Sequence, residues 1–70
     1  MPIVRPLFSD QDFQEAVDQQ YEVRVFKEDQ LVHAGTTVIR FTDQTVVTQS
    51  DVSNVDYYSR TECQFYELRN

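Results

Sequence analysis

Cys63 and His33 are the only residues of their kinds in this 70-residue chain, and a thiol beside an imidazole is its one pairing suited to covalent catalysis. No third group is visible to orient the imidazole. A lone Cys within an apolar run ordinarily serves as a small core residue, and a lone His beside a turn as a surface residue. The carboxylates Asp10, Asp12, Glu15 and Asp18 fall along one short segment, with Glu28 and Asp29 adjacent further on. A hard cation needs six or more oxygens from a shaped loop, and the chain has no Asp-x-Asp-x-Asp-Gly pattern. One Cys and one His cannot make a structural zinc site in a single chain. A single glycine, Gly35, excludes a Gly-rich phosphate loop. The expectation is a protein that is not an enzyme and has no metal or cofactor.

Recognition chemistry is easier to place, in Asn54 to Arg60, NVDYYSR. In a strand, adjacent Tyr57 and Tyr58 point to opposite faces, so one joins the core and the other stays at the surface near Arg60. Exposed Tyr with Arg is the composition of interface hot spots. Phe65 and Tyr66 repeat the pattern. The candidate interface is therefore Tyr57, Tyr58, Arg60 and Tyr66.

Charge narrows the partner. Twelve acidic against six basic residues give a formal net charge of −6. Neutralising phosphates takes clustered Lys and Arg, whereas Lys27, Arg5, Arg24, Arg40, Arg60 and Arg69 are scattered. Nucleic acid is disfavoured and a basic partner is the natural one; the same charge also keeps a small protein soluble. One cysteine rules out an internal disulfide framework. No apolar run is long enough to span a bilayer, and Met1 to Phe8 lacks the continuous apolar stretch of a signal peptide. These features point to a soluble, cytoplasmic protein without a membrane partner.

The elements that must carry these residues are legible from periodicity. Thr36 to Gln49, TTVIRFTDQTVVTQ, is a β-hairpin: two runs rich in β-branched residues flank a polar turn at Thr42, Asp43 and Gln44. Alternation puts Thr37, Ile39 and Phe41 on one face and Val38 and Arg40 on the other. A three-residue loop pairs Phe41 with Thr45 and Ile39 with Val47; a four-residue loop pairs Phe41 with Val46 and Ile39 with Thr48. A lone hairpin is marginal in water, so further elements must cover it.

Ser9 is placed as a helix N-cap, with Asp12 in the capping-box position and Phe8 and Phe13 at the spacing of a hydrophobic staple. Phe13, Ala16, Val17 and Gln20 or Tyr21 form the apolar stripe of a helix over about 10–20. Strands follow at about 21–27, 31–41, 45–49, 54–59 and 62–68, with a bulge or bend at Gly35. Residues 1–7, which include Pro2 and Pro6, are a mobile arm or an edge segment.

The resulting fold class is α+β: one domain with a short N-terminal helix on a curved antiparallel sheet of four to five strands. A helix before five strands, with a bend at Gly35, resembles the order of Sm-like small barrels. That resemblance implies a small Sm/SH3-like barrel and an RNA partner. Against the pattern stand Glu28-Asp29-Gln30, a turn without glycine, and the negative charge. The functional expectation is a small acidic protein-interaction module that self-associates as a homo-oligomer or occupies a basic surface of another protein. The alternative is an Sm-like or OB-like nucleic-acid-binding barrel whose aromatics stack on bases.

Overall fold

The computed structural model describes residues 3–69. Its elements are β1 (Ile3–Leu7), α1 (Asp10–Gln19), β2 (Glu22–Lys27), β3 (Gln30–Phe41), β4 (Thr45–Asp51), β5 (Asn54–Ser59) and β6 (Cys63–Arg69). All six strands join one antiparallel sheet in the order β1-β6-β2-β3-β4-β5. The fold is thus a small α+β domain with one more strand than the sequence suggests. The extra strand is β1, so Ile3–Leu7 is an edge strand rather than a mobile arm. Its register runs Val4↔Leu68, Arg5↔Glu67, Pro6↔Tyr66 and Leu7↔Phe65.

The order forces the sheet to curl. In a flat sheet β5 and β6 would lie four strand spacings apart, roughly 19 Å, yet only Arg60, Thr61 and Glu62 connect them. Four Cα steps reach at most about 14 Å, so the sheet must coil to bring these strands together. It does so: Tyr58 of β5 meets Phe65 of β6 with ring centroids 6.2 Å apart. The bending is concentrated in β3. Opposite β2, Val32 and the pair Ala34-Gly35 each add a residue to β3, and opposite β4 so does Ile39. Gly35, at φ +71°, supplies the left-handed backbone that one of these bulges requires.

The helix forms as its cap predicts. The Asp12 N–H donates to Ser9 Oγ at 3.1 Å, and Asp12 Oδ2 accepts the N–H of Ser9 at 3.1 Å, completing the capping box. Gln20 ends it in the left-handed region. Phe13 and Ala16 are buried and Val17 packs beside them. Phe8, by contrast, is 75% exposed, so Phe13 takes its cover from Phe41 and Phe65 at 5.7 and 5.5 Å and not from a staple.

The core lines the concave side: Leu7, Val23, Val25, Val38, Val46, Cys63 and Phe65, with Phe41 and Tyr58 packed against it. The hairpin uses the four-residue loop, with Phe41↔Val46, but the Ile39 bulge shifts the rest. Val38, not Ile39, pairs with Thr48 and is buried; Ile39 is 40% exposed. The inward set is therefore Thr36, Val38 and Phe41, which corrects the alternation expected for Thr37, Ile39 and Phe41. One inserted residue transfers every side chain beyond it to the opposite face.

Candidate interaction surface

The adjacent tyrosines divide as strand geometry demands. Tyr58, opposite Val46, turns into the core against Phe65, and burial together with the nearby Asp56 carboxylate pushes its phenol above the ordinary value of 10.0. Tyr57, opposite Val47, points outward and is 72% exposed. Val55, two residues earlier on the same face, is 41% exposed. A shallow groove at this end is bounded by Gln44, Thr45, Tyr57, Ser59 and Thr61.

Arg60 does not sit beside Tyr57 on the outer face. Its guanidinium turns inward over the Phe13 ring at 4.6 Å and the Phe41 ring at 5.7 Å. It donates to the carbonyls of Thr42 at 2.8 Å and Phe8 at 3.2 Å and pairs with Asp10 at 2.7 Å. These partners lie at the β3–β4 turn, the end of β1 and the start of α1, so one side chain ties three segments across the open side of the curled sheet. Such a desolvated, forked cation is a structural clamp, and Arg suits it better than Lys because the planar group stacks and donates in several directions at once.

Tyr66 belongs to a second exposed region, on the convex face. It packs edge-on against Phe26 at 5.4 Å, and Val4, Arg24, Asp29 and Gln64 complete a groove of about 330 Å³. Leu31, opposite Phe26, is exposed alongside. Tyr57 and Tyr66 thus stand on strands at opposite parts of the sheet and do not form one patch. Val55 shares the face of Tyr57 by alternation within β5, whereas only the register places Phe26 and Val4 on the face of Tyr66.

The two sheet edges differ. β1 carries Pro6, which lacks an N–H, the usual way of blunting an edge against further pairing. β5, NVDYYS, has neither Pro nor Lys. The Arg60 N–H donates to the Gln44 carbonyl at 2.8 Å, which fixes the alternation: residues 56, 58 and 60 bond toward β4, while Val55, Tyr57 and Ser59 turn their N–H and C=O groups away from it. Among the described residues no ladder meets that outer side.

The residues capable of chemistry are kept apart. Cys63 stands on β6 opposite Lys27 of β2, and His33 on β3 opposite Val25, so a strand separates them, roughly 10 Å at ordinary strand spacing. Burial pushes the Cys63 thiol above its ordinary value of 9.0, against a nearby Lys27 that acts the other way, so the nucleophilic thiolate is disfavoured at neutral pH. Among the described residues no three His, Cys, Asp or Glu side chains converge as a metal site, and no helix is long and apolar enough to cross a membrane.

The charged group at the inner end is instead a network. Glu67, fully buried, accepts from Arg5 at 3.3 Å, and Arg5 also pairs with Asp12 and, at 3.8 Å, with Glu15. Inward-facing Arg5 escaped notice because β1 was not assigned as a strand, and its alternation with Leu7 is the signal that would have found it; Glu67 lay in an assigned strand, where its alternation with Cys63 and Phe65 already placed it inward. The chain matches no protein-family model, and comparison with curated proteins and with solved structures gives no significant match.

Proposed function

We propose that the protein is a small acidic non-enzymatic module that works by binding another protein, with β5 and its outward side chains as the contact surface. The observation that carries this reading is the unpaired edge of β5, where Tyr57 is 72% exposed beside Val55. Tyrosine offers a large contact area at small entropic cost, and an edge strand offers backbone groups that seek partners. The convex groove around Phe26 and Tyr66 is the second contact region. Tyr58 and Arg60 support the surface from within by holding β5 against the core.

Light scattering of the full chain across salt concentrations tests self-association. Quantitative co-purification with wild type, Tyr57→Ala and Tyr66→Ala, each checked for folding by circular dichroism, tests a heterologous partner. Both substitutions are expected to leave the fold intact, and Tyr57→Ala to weaken association at least tenfold. Unchanged association in both variants overturns the reading. Saturable binding of mixed single-stranded oligonucleotides at low salt would replace it with nucleic-acid recognition.

A further inference from the structure

Resting on that reading, we infer that the occupant of the β5 edge is a basic extended segment of another protein, added as a seventh strand with a Lys or Arg opposite Asp56 and apolar residues opposite Val55 and Tyr57.

The argument starts from the backbone. Val55 and Tyr57 present their N–H and C=O groups on the side of β5 away from β4, whereas the Ser59 N–H on the same side already donates to the Cys63 sulfur and ends the open stretch. A strand laid there completes the ladder and buries the outer faces of Val55 and Tyr57. This is strand addition, in which main-chain bonds give affinity and alternate side chains give specificity. The opposite edge is not equivalent, because Pro6 removes a donor from β1.

Asp56 decides the chemistry of the incoming strand. It lies in the middle of the edge, opposite Thr48, on the concave side and half-buried. Its charge is felt by Tyr58, yet no cation among the described residues pairs with it. An inward-pointing carboxylate on an open edge repels an acidic strand and attracts a basic one. A second copy of this chain is disfavoured on two grounds. It carries the same net charge of −6, and the in-phase antiparallel register of β5 on β5 centred on Asp56 sets that residue directly against its counterpart. A basic strand meets neither obstacle, since its cation pairs Asp56 where water is partly excluded.

The probe is the fluorescein-labelled heptapeptide KTVRVTK, blocked at both ends, with ETVEVTE as control, titrated with the full-length chain and read by anisotropy. The basic peptide is expected to bind, the acidic one not. Raising salt from 0.05 to 0.5 M should weaken binding by about tenfold or more. Asp56→Asn should weaken it by about tenfold. Val55→Pro removes an outward N–H without touching the β4 ladder and should abolish it; if that variant does not fold, Tyr57→Lys, at an exposed position, should do so by charge. No binding of the basic peptide at 0.05 M salt overturns the inference, as does unchanged binding by Val55→Pro or Tyr57→Lys. A dimer that strengthens with added salt and is lost in the same variants also overturns it, assigning the edge to a second copy. If the peptide fails while a partner is still captured through Tyr57, the inference falls and the interaction module stands; if Tyr57→Ala and Tyr66→Ala change no association, the module itself falls.

Discussion

Thr36 and Thr48 are fully buried on the concave side of adjacent strands, and neither hydroxyl has a hydrogen-bond partner. A buried hydroxyl without a partner loses its hydration and gains nothing in return, so Thr36→Val and Thr48→Val, nearly equal in shape, should each stabilise the fold by about 1 kcal/mol, read as a higher urea midpoint. A lower midpoint in both would mean that the hydroxyls are satisfied. Asp12 is the opposite case. Its carboxylate accepts the N–H groups of Phe8 and Ser9 and also faces Arg5, and these hold its pKa below the ordinary 3.8. The folded state therefore favours the ionised form: the stabilisation is fully present above pH 4 and is lost as the pH falls through the lowered value. The urea midpoint of wild type should drop across that window more steeply than that of Asp12→Asn, which starts lower because its amide keeps one oxygen for the Phe8 and Ser9 N–H groups but carries no charge to pair with Arg5. Parallel curves would remove Asp12 from the acid transition. The capping residues were legible in sequence because their signals are local. The clamp at Arg60 was not, since Phe8, Thr42 and Phe13 approach it only through the curl of the sheet.

Among the elements, β2 and β6 follow plain alternation, and their inward residues Val23, Val25, Cys63 and Phe65 are the ones periodicity assigns. β3 does not, because its bulges change phase and nothing in TTVIRF marks where the extra residue sits. The test is local. Val38→Ala removes a buried side chain and should cost about 2 kcal/mol, whereas Ile39→Ala removes a larger one and should cost under about 1 kcal/mol, the reverse of simple alternation. Equal losses would argue against a bulge at Ile39. The β2–β3 turn has its own signature. Glu28 and Asp29 both lie in the left-handed region, at φ 52° and 62°, as a two-residue primed turn requires. Neither residue type favours that region as glycine does, and Asp29→Gly should stabilise the hairpin by about 0.5 to 1 kcal/mol, measured by the same denaturation. Loss of stability instead would show that the Asp29 side chain matters more than its backbone.

For the whole molecule, the question is what holds together a curled sheet whose two edge strands, among the described residues, each pair with one neighbouring strand alone. About 0.05 to 0.15 kcal/mol per residue gives a chain of this length roughly 4 to 10 kcal/mol in total, so each tie across the fold matters. One end is fastened by Arg60. The other depends on Arg5, which reaches from β1 to Glu67 on β6 and to Asp12 and Glu15 on α1. The arrangement was hidden in the sequence because three of these residues look like ordinary surface charges, and only the place of β1 beside β6 brings Arg5 to the inward-facing Glu67. Glu67 is wholly buried, so taking away the cation that faces it leaves a carboxylate in a poorly solvated place. Arg5→Met should therefore cost about 2 to 3 kcal/mol, somewhat less than a fully buried pair because Arg5 itself is partly exposed, while Arg24→Met on the convex face costs under about 0.5 kcal/mol. Adding Glu67→Met to Arg5→Met should recover most of the loss, since apolar side chains of similar size can replace a buried ion pair without penalty. A double variant as weak as the single one would mean that β1 is held by the full set of carboxylates around Arg5 rather than by the burial of Glu67. Hydrogen exchange of the β1–β6 ladder separates the two outcomes, because only loss of that tie frees β1 while β3 to β5 stay protected.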